Sequence, residues 1–370
     1  MKFTCDKGEL QEACAISTRA VPAKSPLPAL EGLLIEAADN KVTVTGYDLK
    51  KAVYTEIEAN VYESGIILVE AKFFGEMLRR MSDGMLSIEC DEKNNINAKC
   101  GKSDYNYSCM EFEEYPDLPE FEKVNYIELP QKILKNMINR TIFAISKDEV
   151  RPVYTGTLFE ITDSELTLVS VDGFRLARKS EKIENGCMEN CSFIVPGSTL
   201  SDVEKICQET DNPVQITVGE KHILFKIENT VVITRRLEGE FLNHRKSVPE
   251  TFKYRVVIKK QELINVTERV ALMLSDSTMT NPVRMVFEDG RIYCHCRTPM
   301  GKAEDICTCD GSADSIEIGF NDRYMLDALK AAETDTVALY INTATSPCVI
   351  KAADGSENFA YMILPVRLRA

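Results

Sequence analysis

Thirteen cysteines and three histidines are the side chains of this 370-residue sequence with the most chemistry to offer. The densest group is Cys294-His295-Cys296 followed by Cys307-Thr308-Cys309. If a hairpin turns near Met300-Gly301, alternation along its strands puts those thiols on one face, where a soft metal could be held. Structural zinc knuckles usually leave two residues between paired ligands, and a one-residue gap within a strand more often marks packing. No metal site is therefore expected, and a metal-dependent enzyme using the Cys294–Cys309 cluster stands as an alternative. His222, His244 and His295 lie near no plausible nucleophile and orienting carboxylate. Gly101-Lys102-Ser103 resembles the end of a phosphate loop, but Ile96 occupies the position of its first glycine. Paired carboxylates are abundant only because the whole chain is acidic. No catalytic residue, cofactor or enzymatic activity is expected.

Function must then reside in surfaces, and the elements that position them repeat. Arg151–Arg178 holds two apolar runs of strand period, Thr157–Ile161 and Leu166–Val171, around a polar turn at Thr162–Glu165. Asp172-Gly173 then redirects the chain into Phe174-Arg175-Leu176. The same pattern occurs at Gly32–Glu36 and Val42–Gly46, and again at Val283–Phe287 and Arg291–Cys296. The intervals are 124 and 127 residues, the length of a whole domain rather than a solenoid repeat.

Each repeat opens with a strand and a helix: Phe3–Cys5 with Lys7–Val21, Tyr126–Leu129 with Gln131–Ser146, and Tyr254–Ile258 with Lys259–Leu274. Pro130 sits at a helix start, where its missing N–H costs nothing. A further strand and second helix follow at Ile66–Val69 and Lys72–Ser82, Ser192–Val195 and Ser198–Gln208, and Ser315–Ile318 and Asn321–Glu333. Two or three strands close each repeat, as in Gln215–Val218, Ile223–Ile227 and Thr230–Thr234. Linkers fall at Glu113–Val124 and Ser247–Phe252. The expected class is α+β, with three repeated domains at 1–124, 125–250 and 251–370, each an antiparallel sheet backed by two helices.

With 44% apolar and 28% charged residues the composition is that of an ordinary globular chain. Charge appears at once after Met1, and no apolar run approaches a membrane span, which points to a cytoplasmic protein with reduced, buried cysteines. A net charge of −14 argues against gripping nucleic acid with the whole surface. The distribution is uneven. Residues 7–21, 72–82, 131–146, 198–208, 259–274 and 321–333 carry 0, +2, +3, −1, +1 and −1. These helical stretches hold +4 together, leaving −18 elsewhere. Helices turned toward a polyanion would touch phosphates without reading bases, so binding would be salt-dependent and blind to sequence.

Three such repeats, with Val171-Asp172-Gly173-Phe174-Arg175-Leu176 in the middle and Tyr361–Leu368 (YMILPVRL) at the end, resemble the bacterial DNA sliding clamp, the beta subunit of DNA polymerase III. The resemblance covers the whole chain, including Met1-Lys2-Phe3, Lys72-Phe73-Phe74, Glu114–Asp117 and Ile318–Asn321. It implies a head-to-tail homodimer forming a ring round double-stranded DNA, a processivity factor that tethers the replicative polymerase, the clamp loader and repair proteins. It also implies a peptide-docking pocket matched here by Tyr154, Val171, Gly173, Phe174, Arg175, Leu176, Leu242, Lys246 and Ser247. Met362, Leu364, Pro365, Val366, Arg367 and Leu368 complete it. This chain departs from many members, which carry histidine at Phe174, a smaller aliphatic at Tyr154 and Arg-Val at Lys246-Ser247, and which stop at Leu368 without Arg369-Ala370.

Three expectations follow. Lys24, Lys72, Arg79, Arg80, Lys132, Lys135 and Arg140 are the candidate phosphate contacts. Tyr105 and Tyr107, on an edge strand near Lys102–Met110, should meet Leu272 and Met273 across the dimer interface. A three-domain adaptor without DNA contact is the rival from another class.

Overall fold

The computed structural model describes residues 1–111, 114–119, 126–162, 164–183, 190–274, 282–356 and 358–368. The first repeat runs β1 (Lys2–Asp6), α1 (Lys7–Ser17), β2 (Gly32–Ala38), β3 (Lys41–Tyr47), β4 (Lys51–Glu58), β5 (Asn60–Glu63), β6 (Gly65–Glu70), α2 (Ala71–Arg80), β7 (Met85–Cys90), β8 (Asn95–Cys100) and β9 (Ser103–Ser108). The second runs β10 (Tyr126–Pro130), α3 (Gln131–Asn139), β11 (Gly156–Ile161), β12 (Glu165–Val171), β13 (Arg175–Lys182), β14 (Cys191–Pro196), α4 (Gly197–Ile206), β15 (Pro213–Val218), β16 (His222–Ile227), β17 (Thr230–Arg235) and the short α5 (His244–Ser247). The third runs β18 (Tyr254–Lys259), α6 (Lys260–Ala271), β19 (Val283–Glu288), β20 (Arg291–Thr298), β21 (Gly301–Thr308), β22 (Ile316–Phe320), α7 (Asp322–Ala331), β23 (Thr336–Ile341), β24 (Cys348–Ala352) and β25 (Phe359–Ile363).

Every pairing between these strands is antiparallel, as expected of this α+β class. By contact the chain gathers into two compact units. One comprises Met1–Leu134 and Asp202–Arg236, the other Lys135–Asn185, Glu189–Ser201 and Leu237–Ala370. The first contains a sheet in the order β5-β1-β7-β8-β9 and an eight-stranded sheet β10-β15-β16-β17-β4-β3-β2-β6. The second contains an eight-stranded sheet β14-β11-β12-β13-β25-β24-β23-β18 and a four-stranded sheet β21-β20-β19-β22.

Helix starts follow the sequence closely because each has a local cause. Asp6 Oδ1 accepts from the N–H groups of Gly8 at 2.7 Å and Glu9 at 3.1 Å, and Asn321 Oδ1 accepts from Tyr324 at 3.1 Å. Helix ends fall earlier than expected. α1 stops at Ser17 and α3 at Asn139, and hydroxyls take the last carbonyls: Thr18 Oγ1 donates to Cys14 at 2.6 Å, Thr141 Oγ1 to Met137 at 2.8 Å. Leu10, Cys14, Phe74 and Leu78 pack against Phe3, Ile35 and Ile88 in the first unit. Leu263, Val270, Met325 and Leu329 pack against Val256, Met285 and Ile318 in the second.

The cysteine hairpin forms with its turn between β20 and β21, as the spacing suggested, but its thiols serve the core. Cys294, Cys296 and Cys307 are buried in the apolar cluster of the second unit. Cys296 Sγ donates to the Val270 carbonyl at 3.2 Å, and a bond to Cys307, with burial, holds the Cys294 thiol well above its ordinary range. Among the described residues no three ligating side chains gather as a metal site would need.

Candidate partner-docking site

The site begins at the turn from β12 to β13. Asp172 Oδ1 accepts from the backbone N–H groups of Phe174 at 2.9 Å and Arg175 at 3.0 Å, and Gly173 takes φ +92°, where a side chain would be strained. This leaves Phe174 standing out, 59% exposed. Arg175 turns the other way. Its Nε donates to Asp172 at 2.9 Å, Nη1 to Asp327 at 2.6 Å and Nη2 to the Phe143 carbonyl at 2.5 Å, with the guanidinium 4.3 Å from the centre of the Tyr324 ring. These donors fasten the turn to α7, so Arg175 stands in the wall of the expected pocket.

Beside the turn lies an apolar floor. Val171, Leu176 and Met362 are buried together with Leu158, Val169, Ile194, Val349 and Ala360. Tyr154, Leu242, Phe241 and Val248 are half-buried around it, and the Tyr154 and Phe241 rings meet edge to face at 5.6 Å. A floor of buried apolar side chains under a half-exposed aromatic rim suits short apolar anchors. The chain leaves β25 along this region. The Leu364 N–H donates to the Phe174 carbonyl at 2.8 Å, the Val366 N–H to Gly319 at 2.8 Å, and Leu368 packs on Gly319, where a Cβ would come within 2.6 Å of it. Pro365 and Val366 are half-buried, and Arg367 points to solvent.

Lys246 and Ser247 are placed less directly. Both belong to α5, where the Lys246 N–H donates to Asn243 Oδ1 at 3.2 Å and Ser247 Oγ to the Asn243 carbonyl at 2.9 Å. His244 anchors this short helix through Nε2 to Glu160 Oε2 at 2.8 Å, and that bond holds the Glu160 carboxyl below its usual range. Next to the turn a cavity of about 1020 Å³ shares Tyr154, Gly173, Phe174 and Arg175 with the expected site and adds Asn321, Tyr324, Arg151 and Arg323. Sequence reasoning missed these four. Asn321 and Tyr324 open α7, and only their neighbourhood, the quoted Ile318–Asn321 run, was available as a signal.

The expected phosphate contacts divide. Lys24 and Lys72 are exposed. Arg79 and Arg80 are 63% and 71% exposed, and each pairs with Glu76. Lys132 pairs with Asp211 at 2.7 Å, and Lys135 is half-buried with interactions of its own. Arg140 is half-buried, its Nη1 donating to the Lys330 carbonyl at 3.3 Å and its Nε buried.

Of the dimer candidates, Leu272 is 83% exposed, whereas Met273 packs on the second unit's core. Tyr105 and Tyr107 alternate with exposed polar residues along β9 and are half-buried on the first unit's core. Tyr107 meets Phe73 at 5.2 Å, and burial pushes its phenol well above the ordinary range. Arg369-Ala370, and residues 113 and 120–124 of the expected 113–124 linker, lie outside the described residues. No described helix is long and apolar enough to cross a membrane.

Three family models match the chain in succession: the N-terminal domain of the DNA polymerase III beta subunit over residues 1–119, its central domain over 128–243 and its C-terminal domain over 245–367. The beta sliding clamp of Bacillus subtilis is 28% identical over 99% of this chain and 100% of its own. A putative DNA polymerase III beta subunit of Eubacterium rectale matches in structure with TM-score 0.94 and 31% identity, covering both chains fully. A sliding clamp of Pseudomonas aeruginosa solved with griselimycin bound matches with TM-score 0.93 and 25% identity, again over both chains.

Proposed function

Because the chain belongs to the DNA polymerase III beta subunit family, we propose that it is a processivity factor: two copies close head to tail into a ring round duplex DNA and tether replication enzymes to it. The family is non-enzymatic, in keeping with a site that offers contacts and no reacting group. The observation that carries the tethering is the floor of Val171, Leu176 and Met362 under the rim of Tyr154 and Leu242, fed by the tail from Leu364 to Leu368. Replicative polymerase, clamp loader and repair proteins would insert leucine and phenylalanine anchors there from an extended segment. Griselimycin is a candidate ligand of the same groove. We retain 1–124, 125–250 and 251–370 as the repeat boundaries and place the protein in the cytoplasm, with the chromosome.

Lys24, Lys72, Arg79, Arg80, Lys132 and Lys135 are the proposed phosphate contacts. A surplus of +4 on the helical stretches is too small for tight binding, so retention is topological. Protein loaded on circular duplex should stay until the circle is cut and then leave within seconds. R79E/R80E should weaken residual binding alike on every sequence. Equal retention on linear and circular DNA would refute the ring.

A further inference from the structure

The first unit carries two thiols in contact at one end of its five-stranded sheet. On the inner face of that sheet Leu86 and Ile88 of β7 are buried, and Cys90 continues their row. Tyr105 and Tyr107 of β9 lead on in the same way to Cys109, just past the strand. Ile96 of β8 stands opposite both Cys90 and Tyr107. The turn from β7 to β8 closes the remaining gap. Asp91 Oδ1 accepts from the N–H groups of Lys93 at 2.8 Å and Asn95 at 2.9 Å, and Asn94 takes φ +62°. The Asn94 carbonyl then receives both the N–H of Cys109 at 2.9 Å and its thiol at 3.1 Å. The Sγ atoms of Cys90 and Cys109 end 3.9 Å apart.

Burial and protonation set the two sulfurs apart from the rest. Cys5, Cys14 and Cys100 of the same unit are buried, as are Cys294 and Cys307 of the other, whereas Cys90 and Cys109 are half-buried and open to small solutes. A bond needs the sulfurs to close to about 2.0 Å, and rotations about the two χ1 angles supply that without moving the strands. Burial, with Cys90 beside it, pushes the Cys109 thiol up to about 11, so Cys109 keeps its proton and Cys90 is the sulfur that attacks. Tyr107 lies close enough for both thiols to act on its phenol, and its buried hydroxyl has no hydrogen-bond partner. That unpartnered donor suits a sulfur anion formed beside it, because hydrogen bonds to ionised acceptors are the stronger ones.

We propose that Cys90 and Cys109 are a redox-active pair, joined reversibly as a disulfide when a hydroperoxide reaches Cys90. The Cys90 thiolate attacks one peroxide oxygen. An S–O bond forms, the O–O bond breaks, and the departing alkoxide or hydroxide takes up the proton that Cys90 released. Cys109 then attacks the Cys90 sulfenic acid: an S–S bond forms, the S–O bond breaks, and hydroxide leaves with the Cys109 proton as water. Two electrons pass from the sulfurs to the peroxide oxygens. A transient, reducible link of this kind is the use of a disulfide that a reducing compartment allows. The bond spans β8 and ties the end of β7 to the exit of β9. It also holds the chain start, since the Cys90 N–H donates to the Met1 carbonyl at 2.9 Å and the Met1 ammonium to the Cys90 carbonyl at 3.2 Å.

The test uses the unsubstituted full chain, freed of reductant and treated with hydrogen peroxide. Remaining thiols are blocked with N-ethylmaleimide before a non-reducing tryptic digest is read by mass. A joined peptide pair carrying Cys90 and Cys109 should exceed every other pairing at least tenfold, and it should vanish after dithiothreitol. The same treatment in urea should erase that preference. C109S has no resolving sulfur, so its Cys90 sulfenic acid should accumulate and be trapped by dimedone. Linkage no commoner in the folded chain than in urea, or peroxide consumed while Cys90 and Cys109 both stay open to N-ethylmaleimide, overturns the proposal.

Discussion

Arg175 fastens the docking turn to α7, and replacing it by alanine tests that reasoning quantitatively. Its side chain is 12% exposed and Asp172 11%, so their bond at 2.9 Å is sheltered from water. A hydrogen bond to a charged group in such a setting contributes about 2 kcal/mol. The Asp327 carboxylate is 42% exposed, and solvent screening reduces that pair to about 0.5 kcal/mol. The stack on Tyr324 adds about 0.5 kcal/mol. Arg175→Ala should therefore destabilise the second unit by about 3 kcal/mol, a fall in Tm of about 6–12 °C at this size. Because the Phe174 carbonyl holds the Leu364 N–H, a loosened turn should also weaken a fluorescent Gln-Leu-x-Leu-Phe peptide about tenfold in anisotropy titrations. Arg175→Lys should resemble Arg175→Ala, since an ammonium cannot reach Asp172, Asp327 and the Phe143 carbonyl from one planar fork. The reasoning fails if the lysine variant melts and binds like the parent, or if alanine shifts Tm by less than about 1 °C.

Other outcomes follow from the same geometry. Truncation after Ile363 spares β25 but removes Leu364, Val366 and Leu368, so a micromolar peptide, about −8 kcal/mol, should drop below detection while the dimer persists by native mass. Unchanged affinity would mean the groove is elsewhere. Leu272→Ala with Met273→Ala should yield monomers on dilution in sedimentation velocity, and a persistent dimer would place the interface away from α6. Glu160 has its folded pKa depressed by His244, so its contribution is present above the ordinary carboxylate range and lost as pH falls through the depressed value. Urea midpoints of Glu160→Gln should accordingly lose part of the parent's decline on acidification below about pH 4.3, and parallel curves would contradict it.

Local pattern determined a great deal here. Period-two and helical runs set the three repeats, Asp6 and Asn321 start helices as caps anywhere would, and Asp172-Gly173 makes its turn from its own side chain and φ. Those causes act within a few residues, so they are legible in order along the chain. The motif-bearing residues from Val171 to Leu176 and from Met362 to Leu368 were likewise readable, because a family repeats them in sequence.

Tertiary structure decided the rest, since it depends on partners distant in the chain. Arg175 and Arg140 look like free surface charge in sequence, yet Asp327, the Phe143 carbonyl and the Lys330 carbonyl claim them. Cys294, Cys296 and Cys307 alternate as ligands might, and become core only because α6 lies over their hairpin. The sequence shows three repeats, but β17 pairs with β4 and β25 with β13, so contacts gather the chain into two units and leave β9 and β21 as open edges. No composition or spacing announces that, because a strand's last neighbour is set by which backbone edge remains unpaired after the others have closed.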